Sequence, residues 1–155
     1  MLKFIRAKSK KELGHIRELF LEYAKSLNFN LCFQDFEKEL KELPGEYAPP
    51  EGSLLLAIYE NNIAGCVALR KLSEGICEMK RLYVRPAYRG SEIGKKSAVK
   101  IIEQARKIGY KKMRLDTIPS MAEAIELYRS LGFKEIEPYR YNPIKGAIYM
   151  EIELI

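Results

Sequence analysis

The sequence predicts one mixed α/β domain spanning residues 1–155, built on a central, mostly antiparallel sheet of about seven strands with about four flanking helices. Three observations carry this. Strand-like runs at Ser53–Tyr59, Ile63–Arg70 and Ile76–Val84 follow one another on short turns, which makes an antiparallel meander. A glycine-rich turn, a long helix and a further strand come next. Such a crossover is right-handed and requires one parallel pair, between the fourth and fifth strands. No internal repeat, linker or low-complexity tract divides the chain.

The elements follow in order. Leu2–Arg6 reads as a first strand rather than a signal peptide. Ser9-Lys10-Lys11-Glu12 is a capping-box pattern, and Leu13, Ile16, Phe20, Tyr23, Ala24 and Leu27 then share one helical face. A short second helix is expected from about Gln34 to Leu43, with Phe36 and Leu40 inward, stopped by Pro44-Gly45. The meander turns at Glu60-Asn61-Asn62 and at Ser73-Glu74-Gly75. The long helix carries Val99, Ile101, Ile102, Ala105 and Ile108 and ends at Gly109. Lys112–Asp116 is the fifth strand. Ser120-Met121-Ala122-Glu123 looks like a second capping box, opening a helix closed by Gly132. Strands at Phe133–Ile136 and Ala147–Leu154, joined by the loop Glu137–Gly146, finish the chain.

Composition excludes several classes. Hydrophobic residues make up 47% and charged residues 31%, ordinary for a globular protein, and no apolar run approaches a membrane span. The three cysteines, Cys32, Cys66 and Cys77, are far apart and the single histidine, His15, cannot join them. Neither a metal site nor a disulfide framework is expected, and a cytoplasmic location is. The net charge of +6 suits an acidic partner. Nucleic acid is the weaker candidate, because aromatic residues are not interleaved with a basic stripe.

The densest chemistry lies in Arg85-Pro86-Ala87-Tyr88-Arg89-Gly90-Ser91-Glu92-Ile93-Gly94-Lys95-Lys96, between a strand and a helix. Free N–H groups and the positive end of a helix dipole make such a junction a phosphate cradle. It is not a Walker A loop, which needs four residues between its glycines and Ser or Thr directly after the lysine. Nor does it follow the first strand of a dinucleotide-binding unit.

The element order and three segments together resemble the GCN5-related N-acetyltransferase (GNAT) family over nearly the whole chain. Glu78–Gly90 is very like the family's fourth strand and its exit. Arg89–Gly94 matches the Arg/Gln-x-x-Gly-x-Gly/Ala turn at its first and last positions. Leu127-Tyr128-Arg129-Ser130-Leu131-Gly132-Phe133 matches the family's Leu-Tyr-x-x-Leu-Gly-Phe helix end. The resemblance implies that acetyl-CoA is the acetyl donor and that no metal takes part. Main-chain N–H groups across Arg89, Gly90, Ser91, Glu92, Ile93, Gly94 and Lys95 would hold its pyrophosphate, with Leu82, Tyr83 and Val84 alongside the pantetheine arm. It also implies fourth and fifth strands that splay apart, often with a bulge. Two departures stand out: Glu92 replaces the middle glycine, and Met121 stands where many members have Asn.

Amine acetylation needs a neutral amine, a donor for the thioester oxyanion and a proton for the leaving thiolate. By the same resemblance Tyr128 meets the sulfur, Glu78 stands where some members carry a general base, and the Leu82 N–H serves the oxyanion. Apart from the resemblance, Tyr128 could be a core aromatic and Glu78 a solvent-facing strand residue. Asp116 either anchors a cationic substrate or caps the turn before Pro119, and Glu137–Pro143 either lines an acceptor pocket or is an ordered hairpin loop. The expected activity is acetyl transfer by direct attack of a primary amine of a small molecule, amino acid or peptide. A catalytically weak CoA-binding module and a basic nucleic-acid-associated protein are the alternatives. The oligomeric state, a homodimer included, is left open.

Overall fold

The structure, a computed structural model, describes residues 1–27 and 36–154. Its elements are β1 (Leu2–Arg6), α1 (Lys10–Ser26), α2 (Phe36–Glu42), β2 (Ser53–Tyr59), β3 (Asn62–Ser73), β4 (Ile76–Val84), α3 (Ile93–Ile108), β5 (Lys112–Thr117), α4 (Ala122–Ser130), β6 (Lys134–Ile136) and β7 (Ile148–Glu153). They form a seven-stranded sheet in the order β1-β2-β3-β4-β5-β7-β6, antiparallel except between β4 and β5. The expected sheet and its one parallel pair are therefore present. Cys32 and the expected helix start at Gln34 lie outside the described residues.

Alternation along the central strands sorts side chains to two faces. On one face Ala98, Ile101, Ile102 and Ala105 of α3 pack against Leu55, Val67, Leu69 and Met113. On the other, Ile16, Leu19 and Phe20 of α1 meet Leu54, Leu56, Cys66 and Ala68. Val99, on the outer side of α3, is 38% exposed. Cys66 and Cys77 are core residues. No helix among the described residues is long and apolar enough to cross a membrane.

Helix ends show where local chemistry decides and where it does not. Glu12 N–H donates to Ser9 Oγ (3.1 Å) and Ser9 N–H to Glu12 Oε1 (3.0 Å), so the first capping box is formed. The second is not. Met121 N–H is taken by Ile118 O (3.0 Å), which closes a turn with Ser120 inside it. The helix then starts one residue late, with Met121 as an N-cap that offers no side-chain acceptor. At the far end of α3, Gly109 adopts φ 111°, and its N–H bonds Ala105 O (3.1 Å) as a left-handed stop.

The strand that shapes the site is β4. Its register with β3 shifts between Cys66↔Tyr83 and Ala68↔Lys80, so Arg81 and Leu82 together oppose Val67 alone. This is a β-bulge, and Arg81 sits in it at φ 58°. On the far side, β4 pairs with β5 only through Ile76↔Lys112, Cys77↔Met113 and Glu78↔Arg114. Beyond that the two strands part, as the family resemblance implies. Gly65 allows β3 to press close just past the bulge: a Cβ there would lie 2.3 Å from Tyr83 O.

Glu78, on the last paired rung, is fully buried and is not a solvent-facing strand residue. It accepts from Arg70 Nε (2.9 Å) and Tyr139 OH (2.7 Å) and forms an ion pair with Arg140. Tyr149 OH donates to Arg140 O (2.8 Å), so the segment between β6 and β7 is pinned twice. Burial pushes the Glu78 carboxyl up, but Lys80, Arg140, Arg70 and the Tyr139 hydroxyl together hold it below the ordinary carboxylate range.

Two stability predictions follow from these contacts. Removing the charge in Glu78→Gln leaves the buried Lys80 and two half-buried guanidinium groups poorly compensated, and denaturant titration at pH 7 should show a loss of about 3 kcal/mol. Because the folded-state pKa is lowered, this contribution is complete above the unfolded value of about 4.3 and disappears as pH falls through the folded one. The gap between wild type and variant should narrow in acid; a constant gap would contradict the assignment. Gly65→Ala should cost about 1–3 kcal/mol by overpacking against β4, measured the same way.

Candidate active site

The parting of β4 and β5 opens a cleft. Met79 to Leu82 form one wall and Leu115 to Ile118 the other; Met121, Ala124 and Tyr128 of α4 close one end, and Tyr23 of α1 and Asn142 reach in. Leu82 and Tyr128, expected at the reacting end, thus share one cavity. Tyr128 is buried, packs edge-on against Phe133 at 5.7 Å, and burial pushes its phenol well above the ordinary value. Its proton is therefore firmly held at neutral pH until a strong base arises beside it.

The glycine turn lies beyond the end of β4. Gly90 adopts φ 91°, and Ile93, Gly94 and Lys95 open α3, so their N–H groups have no carbonyl one turn earlier. Ile93 is buried between Ala57 and Ala64, which fixes the helix start against the sheet. Lys95 and Lys96 stay exposed in front of it. The other cations of the motif are engaged. Arg89 N–H bonds Pro86 O (3.3 Å) and its Nε bonds Val84 O (3.0 Å), while Arg85 holds Glu22 of α1 (2.8 Å).

Glu92 occupies the N-cap at φ 60°, exposed and making no side-chain capping bond. A left-handed backbone is what glycine adopts without strain. The departure from the turn pattern therefore has a conformational meaning as well as an electrostatic one: Glu92 keeps the glycine geometry.

The bulge places two successive cations, Lys80 and Arg81, on the cleft. Arg81 is 4% exposed and spans the Glu39 carboxylate with Nε (3.0 Å) and Nη2 (2.9 Å), its guanidinium 5.4 Å from the Phe36 ring. Lys80 is 6% exposed, and burial pulls its ammonium down to about 8 against the raising influence of Glu78. Across the cleft, Asp116 accepts from Asn142 Nδ2 (3.2 Å). Asp116 thus faces the cavity, while Glu78 does not line it. Of the aromatic loop, Tyr139 turns inward to Glu78 and Tyr141 is 80% exposed.

Lys80, Tyr23 and Asn142 were not singled out from the sequence. The signal available was the pair Lys80-Arg81 in the middle of a buried strand, where strict alternation would send one of them to the apolar face. Two adjacent cations there imply an extra residue in the strand.

The acetyltransferase (GNAT) family model matches residues 14–133. An uncharacterised N-acetyltransferase of Schizosaccharomyces pombe is 41% identical over 145 residues, covering 92% of this chain and 89% of the relative. A GNAT-family acetyltransferase structure from Staphylococcus aureus Mu50 superposes with a TM-score of 0.82 at 23% identity, covering 100% of both chains. A structure of yncA from Salmonella typhimurium with its cofactor acetyl-CoA superposes with a TM-score of 0.75 at 18% identity, over 100% of this chain and 95% of that one. Parted central strands, a bulge, a glycine turn capping the long helix and a match over most of the chain converge: the protein belongs to the GNAT family of acetyltransferases.

Proposed function

We propose that the protein moves the acetyl group of acetyl-CoA directly to a primary amine of a small molecule, amino acid or peptide. One observation carries this most: Leu82, in the bulge, and Tyr128, on α4, line a single cleft that opens where β4 and β5 stop pairing. The donor set suits a diphosphate-bearing thioester. The N–H groups of Ile93, Gly94 and Lys95, with Gly90, Ser91 and the exposed Lys96, face the place where phosphates would lie. Arg89 contributes less than its motif position suggests, since its own N–H and Nε bond within the turn.

The amine nitrogen attacks the thioester carbon, a C–N bond forms and the C–S bond breaks. Leu82 N–H donates to the oxygen as it gains charge. Tyr128 gives its proton to the departing thiolate, and the proton that the nitrogen sheds as it becomes the amide restores the phenol, which burial keeps neutral. The ammonium form of the acceptor is drawn to Asp116 and sheds its proton to water at the cleft mouth before it attacks. Glu78, first considered as the base, is held ionised among two arginines and a tyrosine and does not line the cleft. We assign it the role of holding the loop that carries Asn142 to Asp116.

Tyr128→Phe should lower kcat by about 10²-fold while leaving acetyl-CoA affinity, measured by calorimetry, within error of wild type. An unchanged kcat would remove Tyr128 from the mechanism, and failure to release thiol with any amine would leave a CoA-binding module. Glu92→Gly should tighten acetyl-CoA binding about fivefold, since it removes a carboxylate beside the diphosphate. Equal affinity in that variant would show that Glu92 points its charge elsewhere.

A further inference from the structure

We infer that Tyr23 decides which amines react: its hydroxyl takes one N–H of the acceptor while Asp116 takes the other, so that the cleft selects primary over secondary amines. This rests on acetyl transfer at the same cleft and names a specificity-determining residue for it.

The cleft runs through the sheet from one layer to the other. Met113 and Leu115 of β5 belong to the α3 side, together with Tyr128 and with Leu82 packed against that cluster. Alternation turns Asp116 to the opposite side, where α1 lies and where Tyr23 packs. Both residues line the gap between β4 and β5. The groups assigned to the thioester therefore come from one layer, and the acceptor reaches them from the other.

The cations on this path are already answered. Arg81 spans Glu39 through Nε (3.0 Å) and Nη2 (2.9 Å), and Lys80 has its own partner within the protein, with Glu78 as its foremost opposite charge. Asp116 receives a hydrogen bond from the neutral Asn142 amide (3.2 Å) and, among the described residues, no ion pair. A carboxylate has about four acceptor sites, so room for an N–H remains.

Tyr23 is held by its ring and not by its hydroxyl. The ring meets Tyr83 edge-on at 6.1 Å, and the Arg81 guanidinium lies over it, 6.0 Å from its centroid. No group among the described residues hydrogen-bonds the hydroxyl. Burial foremost, with the Asp116 carboxylate adding to it, pushes the phenol above its ordinary value, so it stays neutral with its oxygen lone pairs available. A hydrogen bond left unmade in a half-buried cleft is a cost that a ligand N–H removes.

The selectivity follows from the shape of the nucleophile. A neutral primary amine has two N–H groups and one lone pair. With one N–H on Asp116 and the other on Tyr23, both on the α1 side, the lone pair points through the gap toward Leu82 and Tyr128. A secondary amine has a single N–H, so one of the two oxygens stays unmatched and meets an alkyl group instead.

The test pairs small alkylamines, free amino acids and dipeptides with their N-methylated forms. Calorimetry measures their binding to the CoA-saturated protein, and thiol release from acetyl-CoA is followed in parallel. In wild type the best primary amine should exceed its N-methyl form by about tenfold in kcat/KM and in affinity. Tyr23→Phe, which keeps the ring against Arg81 and Tyr83, should cut that ratio to about twofold by weakening the primary amine alone, with CoA affinity unchanged. A merely structural role would weaken both amines together and leave the ratio intact. A ratio that survives Tyr23→Phe, or thiol release without any preference in wild type, would overturn the inference and leave acetyl transfer standing. Absence of binding by every amine would also overturn it. A Tyr23-dependent preference in binding without thiol release would support the subsite and overturn acetyl transfer instead.

Discussion

Arg81 holds a left-handed backbone in the middle of a buried strand, a conformation that costs a non-glycine residue about 1–2 kcal/mol. Its guanidinium lies against Phe36 and Tyr23 and spans Glu39, all from the helices above the sheet. An unpaired buried arginine would be far more costly than the backbone strain, so the pair with Glu39 keeps the side chain on that face. With Arg81 fixed there, β4 must accommodate an extra residue opposite Val67. A bulge increases local twist, and β4 leaves β5 within a few residues of it. The cleft, with Leu82 along its wall, and the direction of the glycine turn both depend on that departure.

The same face of the sheet carries an unusual amount of charge for an interior. Glu39 answers Arg81, Glu151 answers Arg114 (2.7 Å) and Glu78 answers Arg70 and Arg140. Such pairs add little net stability compared with well-packed apolar residues, yet breaking any one of them is expensive. Their effect is geometric. Glu78 ties β4 to β3 and to the loop before β7, so the cleft is framed by groups that cannot easily rearrange.

Much of this was legible in the residues because local chemistry and global fold agreed. Ser9 and Glu12 cap α1, Gly109 ends α3, and the meander follows from its turns. Where a tertiary contact intervened, the local pattern misled. Ser120 and Glu123 have capping-box spacing, but the turn at Ile118–Met121 takes the N–H that would have begun the helix. Glu78 has the chemistry of a base, and only the folded arrangement of Arg70, Tyr139 and Arg140 shows that its lone pairs are committed. The bulge was foreseen through the family resemblance, although the adjacent cations Lys80 and Arg81 also carried a trace of it; nothing about arginine signals the left-handed φ. Glu92 is the counterpart: its position in the motif foretells a glycine conformation that its own side chain would not.

The two described thiols bear on how such a protein tolerates a reactive thioester. Cys66 is sealed beneath the bulge, its Sγ 3.4 Å from Arg81 O, and Cys77 lies in the core of the neighbouring layer. Burial raises both, Cys77 to about 12, so neither yields an appreciable thiolate near neutral pH. Acyl exchange onto sulfur requires that anion and an open line of approach, and both sulfurs lack them. The two strands that meet at the bulge, β3 and β4, therefore carry their cysteines in a chemically silent form.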